Sequence, residues 1–521
     1  TATSTFAVGR LEAPVVDKDA LLFNSPFTVS VNIPSGATLR YTVDGSTPTL
    51  DNGYTSQTGL FNVSSTTTYR FRLFKEGSLP SEVITRSYLY KDRDIVFPVI
   101  SVVTDPVNLF DDSLGIYVRG VNGRTGNGQQ TPCNWNMDWD RPVNFEYITP
   151  EEGMVLNQEV DMAMCGGWSR AWEPHSFKLK AAKIYEGRNS MNYTFFDDKQ
   201  YLKHKTLQIR NGGNDTGSRI KDPALQEIVR QSGLDIDCQA YQPIVHFING
   251  QYKGMLNMRE PNNKHFAYAN YGYDSDEVDQ FEMSPDSGYC QKEGTKDSFL
   301  KWYELSANAA DPEVYSEICN MVDIDEYINY MAVEFYLGAT DWPQNNVKAF
   351  KPRFEGGKFR FVLFDLDGTF GTTDPFNTFE WKQTYTFDLI YDTGTRFTEE
   401  IEFVTIFLNM LSNEEFVKKF IDTYCLVAGS VFTPERCSEI IRAMADNTYS
   451  TLQQEGQNPY NTGNSLINSL NNRQQTMINA LKNYKRFNLS GIEEQKVELN
   501  SNIDEARIRV NNMVVPTNKF A

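Results

Sequence analysis

A change in hydrophobic period along the chain constrains the fold more than any other feature. Up to residue 90 the apolar residues alternate. "FTVSVNI" sets Phe27, Val29, Val31 and Ile33 against polar neighbours, and "LRYTV" and "TYRFRLF" repeat the pattern. Turn signals separate these runs: "PSG" at 34–36, "DGSTP" at 44–48 and "NG" at 52–53. A period of two belongs to half-buried strands, and several short strands with turns at this spacing predict a small Ig-like β-sandwich. In the final third, segments near 399–428, 433–450 and 464–485 space their apolar residues by three and four, the period of helices packed on one face. One layer arrangement does not serve both patterns. The 521 residues therefore divide into a β module at 1–90 and a mixed α+β domain at 91–485, with "KDRDI" marking the change. "NPYNTGNSLINSLNN" at 458–472 reads as a polar loop leading into a helix. Residues 486–521 turn β-like again in "QKVEL" and "ARIRVNN", as the start of a truncated further domain would.

Composition removes several classes of function. The net charge of −19 repels nucleic acid unless a basic patch outweighs it, and no basic run is present. The longest apolar run, "IVFPVISVV" at 95–103, is too short to cross a bilayer. The opening "TATSTFAVG" has no signal-peptide pattern and reads as a mature N-terminus or a cut. The seven cysteines, widely spaced and odd in number, form no CxxC or Cys/His zinc pattern and read as scattered buried thiols, with one or two disulfides as the alternative in an exported protein. Four dispersed histidines argue against a His-based metal site.

"VLFDLDGTFG" at 362–371 carries the chemistry. An apolar strand delivers Asp365 and Asp367, one residue apart. Alone, this matches the opening motif of haloacid-dehalogenase-type phosphatases, in which the first aspartate attacks phosphorus. That reading requires a parallel, helix-flanked sheet and a second strand-end acidic pair downstream, and "TTDPFNTFEWKQTYTFDLIYDTG" supplies no such pair. The upstream order points elsewhere. "DIDEYINYMAVEFYLG" (323–338) reads as a helix with Asp323 and Glu326 as a capping box and Ile324, Ile328, Met331, Ala332 and Phe335 as its apolar stripe. "ATDWPQNN" follows as a loop, then a hairpin of "VKAF" and "KFRFVLF" ending at Asp365. Helix, loop, hairpin and acidic pair is the order of a protein-kinase catalytic loop and metal-binding strand, where the loop spacing is Asp-x-x-x-x-Asn. Asp341 and Asn346 have that spacing. Asp341 is then the proton acceptor, and Asn346, Asp365 and Asp367 surround magnesium. The carboxylates of Asp341 and Asp365 are expected within about 10 Å of each other, facing one cleft.

The upstream half supplies a phosphate clamp and a nucleotide slot in the same scheme. "CGGWSRAWEPHSFKLKAAKIYEG" (165–187) offers a glycine turn, Arg170, and a strand with Phe177 and Leu179 on one face and Lys178 and Lys180 on the other. "RNGGNDTGSRIKDPALQEIVRQSG" (210–233) gives a polar loop and then a helix starting near Asp222-Pro223. "YQPIVHFINGQYKGMLNMRE" (241–260) reads as a hairpin about Asn249-Gly250, ending at Glu260.

Two resemblances follow from these strings. "LRYTVDGSTPT" resembles the β-sandwich module at the C-terminus of chitobiase-type hexosaminidases. The strings "FPVISVVTDPVNLFDDSLGIYVRG", "RPVNFEYITPEEGM", "GGWSR", "SFKLKAAKIYEG", "LQIRNGGND", "FINGQYKGMLNMRE", "DWPQNN" and "LFDLDGTFG" together resemble the CotH kinase family, the spore coat protein H type of atypical protein kinase. They run in family order across about 95–485. The resemblance implies a two-lobed, protein-kinase-like fold with a helical C-terminal lobe and ATP- and magnesium-dependent phosphorylation of Ser/Thr in partner proteins. Asp341 and Asp365 match its essential acidic residues. Where many members carry a lysine before the serine of the "SFKLK" strand, this chain has His175, which leaves Arg170, Lys178 and Lys180 for the phosphates, with Glu260 at the adenine hinge. The appended β module implies an extracellular or cell-envelope setting and a Ser/Thr-rich surface protein, or a surface glycan, as partner. The alternative is an adhesion protein on a kinase-like scaffold that does no catalysis; "WNMDWDRP" at 135–142 offers tryptophans to it.

Overall fold

The computed structural model describes residues 9–126, 129–185, 187–284, 288–388, 395–495, 497–499, 501–503, 506–510 and 513–515. The chain forms two compact units: residues 1–211 with 242–258, and residues 212–241 with 259–521.

The first unit contains the sandwich and a barrel. In the sandwich, Leu21–Phe23, Ile84–Tyr90, Thr67–Phe74, Thr38–Thr42 and Tyr54–Ser56 form a five-stranded sheet, and Phe27–Ser30 pairs with Leu60–Val63. The alternating residues face inward: Val29, Val31, Leu39, Phe61, Val63, Phe71 and Leu73 are buried in one core. Val99–Val103, Arg141–Thr149, Gly153–Met164, Phe177–Lys180, Thr206–Arg210, Gln251–Arg259 and Tyr241–Ile248 close a seven-stranded barrel. Closure removes the unpaired edges that an open sheet of this length exposes. In the short strand Phe177–Lys180, Phe177 and Leu179 are fully buried while Lys178 and Lys180 are half-exposed, which is the alternation read from the sequence. The hairpin turns at Asn249 and Gly250, both at positive φ, as the tight two-residue turn requires. Asn249 then ties that turn to the main chain of Thr104, at 2.9 and 3.0 Å.

The back of the sandwich meets the barrel through a buried polar seam. Thr68, Ser87 and Ser101 are buried and linked hydroxyl to hydroxyl at 3.2 and 2.8 Å. Glu146, fully buried on the strand Arg141–Thr149, accepts the Ser87 N–H at 3.1 Å and the Asn157 amide at 3.2 Å. Burial pushes its carboxyl above the ordinary range, against the pull of the Ser87 hydrogen bond.

The second unit is built round the helix Ile324–Leu337. All of its residues except Asp325 are buried. The expected single stripe is therefore only part of its contact surface: sheet, loop and helices enclose it on every side. The expected capping box does not form. Asp323 instead accepts from Arg360 at 2.7 Å, and both oxygens of Glu326 take the Phe361 N–H at 3.1 Å. A strand packed against the helix start competes for those carboxylates and wins, because its N–H is otherwise unpaired in the core. The sheet order is Asp237–Cys238, Arg360–Leu363, Val347–Pro352, Val278–Ser284, Gly288–Glu293. All its pairings are antiparallel except the two-residue parallel pair with Asp237–Cys238.

Helices Glu402–Met410, Glu414–Leu426, Pro434–Gln454, Pro459–Asn471 and Arg473–Asn483 complete this unit. The Asn-rich stretch is helix, not loop. Asn458 caps it by accepting the Tyr460 N–H at 3.0 Å, and Gly463, Leu466, Ile467 and Leu470 are buried at helical spacing. Four apolar positions on one face outweigh the turn preference of the asparagines between them. Near the C-terminus, Ile508–Val510 and Met513–Val515 pair as a short hairpin. The described residues of "QKVEL" carry no strand, and its Lys496 lies outside the described residues. All seven cysteines are free thiols. Among the described residues no helix is long and apolar enough to cross a membrane.

Candidate active site

The loop after helix Ile324–Leu337 is held by its tryptophan. Gly338 ends the helix in the left-handed conformation. Trp342 is 4% exposed, donates to the Tyr330 hydroxyl at 3.0 Å and stacks on Phe379 at 5.1 Å. With that side chain anchored, Asp341 and Asn346 on either side are fixed relative to the core. The Asn346 amide donates to Asp341 Oδ2 at 2.8 Å, while Asp341 Oδ1 is buried with no hydrogen-bond partner. Burial raises the Asp341 pKa, and the charge of Asp365 raises it further. Glu334, one turn back in the helix and fully buried, is pushed well up by burial and then by Asp341. Asp341 and Asp365 are thus electrostatic neighbours.

Asp365 follows the strand Arg360–Leu363 and sits at φ 57°, and Asn346 also has φ 57°. Asp and Asn tolerate this left-handed region better than other residues with a Cβ, and non-glycine residues held there cluster at functional loops. The turn that follows brings Asp367 and Gly368 back beside the first loop. A Cβ placed on Gly368 would come within 2.8 Å of Asp341 Oδ1. Asp367 is 7% exposed, and its two oxygens accept from the main-chain N–H and side-chain amide of Asn214, at 2.8 and 3.3 Å.

The remaining sequence candidates have these places. Lys180 pairs with Asp140, and Arg170 donates to the Gly166 carbonyl at 2.9 Å; both belong to the first unit, as does Lys178. His175 is buried between Tyr117 and Trp135 and bonds the Arg170 carbonyl through Nδ1 at 2.7 Å. Burial lowers its pKa, so it packs as a neutral ring. Glu260 is 1% exposed, and its carboxylate accepts from the Ala240 N–H at 3.3 Å and the Asn270 amide at 2.7 Å.

Magnesium takes oxygen ligands, keeps several waters and uses one or two carboxylates plus substrate phosphates. The second unit offers a matching set. Asn346 turns its nitrogen to Asp341, which leaves its amide oxygen for a cation, and Asp365 supplies a carboxylate nearby. Among the described residues no three His, Cys, Asp or Glu side chains converge as a self-sufficient metal cage.

A family model described as CotH kinase protein matches residues 163–490, more than half of the chain. The chain belongs to the CotH kinase family. A second model, the chitobiase/β-hexosaminidase C-terminal domain, matches residues 22–85 and coincides with the sandwich. No curated protein matches this CotH kinase chain. Among solved structures, the crystal structure of a Helicobacter pylori proinflammatory kinase, CtkA, is similar at 9% identity and a TM-score of 0.22, covering 66% of this chain and 96% of that one.

Two lysines of this CotH kinase escaped the sequence reading. Lys221, at the start of the helix Lys221–Arg230, is largely buried among Asp367, Asp215 and Asp341; burial lowers its pKa while those three charges oppose the shift. Its sequence signal is its place directly before the Asp222-Pro223 helix start. Lys382 donates to the main-chain carbonyls of Thr340 and Trp342 at 2.7 and 2.6 Å. No local pattern marks it, because the contact spans about forty residues of sequence.

Proposed function

We propose that this chain is a phosphotransferase of CotH type that moves the γ-phosphoryl group of ATP to a Ser or Thr hydroxyl of a surface or secreted partner protein. The observation that carries the reading is Asp341, fixed by Asn346 at 2.8 Å beside Asp365, at the end of a strand with an antiparallel neighbour. In this scheme Asp341 accepts the proton as the acceptor oxygen bonds to phosphorus and the bond from phosphorus to the β-phosphate bridging oxygen breaks, its electrons leaving with ADP. Asn346 and Asp365, with Asp367 steadied by Asn214 behind them, would hold magnesium, which offsets charge on the β- and γ-phosphates when bound. The segment at Glu260 reads the adenine edge through main-chain groups, because the Glu260 carboxylate is committed to Ala240 and Asn270.

Labelled γ-phosphate should enter the chain itself or a Ser/Thr-rich protein, and Asp365→Ala should abolish this. Undetectable binding of magnesium-ATP by calorimetry would overturn the assignment. The phosphatase reading of "DLDGT" asks for a parallel sheet, and against it stands the antiparallel neighbour of the strand before Asp365, two residues long like the parallel neighbour on its other side.

A second reading is a non-catalytic adhesion protein on the same scaffold. The tryptophans of "WNMDWDRP", Trp135 and Trp139, are only partly exposed; the support comes instead from Trp168, 64% exposed, and Trp381, 74% exposed, a residue type favoured at recognition surfaces. Glycan or protein binding that survives Asp341→Ala combined with Asp365→Ala, and needs no nucleotide, would favour it.

A further inference from the structure

Lys382 lies directly after the helix Pro375–Trp381, and its own N–H closes that helix on the Phe379 carbonyl at 3.0 Å. Its side chain reaches the two carbonyls that flank Asp341 in sequence, Thr340 at 2.7 Å and Trp342 at 2.6 Å. Thr340 has a second donor in the Gln344 amide at 3.0 Å. The helix that carries Lys382 is bound to the same loop by Phe379 against Trp342. The lysine and the loop are therefore one packed body.

A neutral donor would satisfy two carbonyls at lower cost, because a desolvated ammonium is expensive to hold. Burial lowers the Lys382 pKa to about 8, and the Asp341 charge resists that shift. The chain accepts the cost at the peptide units on each side of its candidate proton acceptor.

We propose that Lys382 is a positioning residue: it clasps the main chain on both sides of Asp341 and so fixes the direction of that carboxylate toward the acceptor hydroxyl. The inference rests on reading Asp341 as the proton acceptor. Without the clasp the Trp342 carbonyl loses the donor it has here, and the peptides around Asp341 are free to rotate. Misplacement on the scale of an ångström costs about a hundredfold in rate.

The test uses the full chain with Lys382→Met, which keeps the stem and removes the ammonium, and Lys382→Arg, which keeps the charge. Turnover and hydrogen exchange are both read. Lys382→Met should lower kcat about a hundredfold while the KM for magnesium-ATP stays within about twofold. Exchange in peptides covering 340–346 should accelerate while the helix Ile324–Leu337 keeps its protection. Lys382→Arg should recover part of both. Unchanged kcat, a loss confined to KM, or unchanged exchange at 340–346 in Lys382→Met would overturn the proposal. If the unsubstituted chain transfers no phosphate, the phosphotransferase reading fails and the exchange comparison alone decides the clasp. If Lys382→Met does not fold, Lys382→Gln takes its place as the loss variant and Lys382→Arg remains the partial rescue.

Discussion

Asp341 is shaped by what surrounds it as much as by its own carboxyl. Its Oδ2 is occupied by Asn346, its Oδ1 is buried without a hydrogen-bond partner, and a Cβ on Gly368 would come within 2.8 Å of that oxygen. Gly368 has no positive φ to protect, so an alanine would strain nothing in its own backbone. The added methyl would instead push against the Asp341 carboxylate, which Asn346 holds from the other side. Gly368→Ala should therefore lower phosphotransfer at least tenfold, by the logic of misplaced reacting groups. Magnesium-ATP affinity and the melting temperature should change little. Wild-type turnover in that variant would show that the carboxylate has room to move.

The element that departs most from its sequence signal is the helix Pro459–Asn471. Its asparagines carry turn preference, yet Leu466, Ile467 and Leu470 lie on one buried face, and Gly463 admits Ile441 and Ala445 of the neighbouring helix Pro434–Gln454. Tertiary burial decides the conformation, as it does for most helices of this length in water. Leu470 is fully buried. Leu470→Ala should cost about 2–5 kcal/mol, the range for truncating a core leucine. The denaturation midpoint should fall accordingly. A loss below about 0.5 kcal/mol, the surface range, would mean that the segment is not packed as a helix.

At the scale of the molecule, the sandwich and the barrel share one unit, and Glu146 sits in their seam. Its folded pKa is raised by burial. A carboxyl of this kind contributes fully below its unfolded pKa of about 4.3, and the contribution is lost as pH rises through the folded value. Glu146→Gln keeps an oxygen for Ser87 and Asn157 and cannot ionise. Relative to the unsubstituted chain, its stability should improve from pH 4 to pH 8, by about 1.4 kcal/mol for each tenfold change in proton affinity that burial imposes. Denaturant melts at the two pH values measure this. A stability difference that does not vary with pH would place Glu146 in solvent and separate the sandwich from the barrel.

Much of this molecule is written locally. The period of two sets the sandwich, the Asn249-Gly250 turn sets a barrel hairpin, and the alternation of "SFKLK" sets which face its lysines take, because each depends on neighbours one to four residues away. The "DWPQNN" and "DLDGT" spacings also mark the loop and strand end that the second unit brings side by side. Contacts between distant residues were decided only by the tertiary structure. Asp323 and Glu326 turn from the expected cap to Arg360 and Phe361. Glu260 spends its carboxylate on Ala240 and Asn270. Lys221 and Lys382 arrive at Asp341 from about 120 residues before it and forty after it. A buried polar group takes whichever partner packing places within reach, and sequence spacing does not encode that choice.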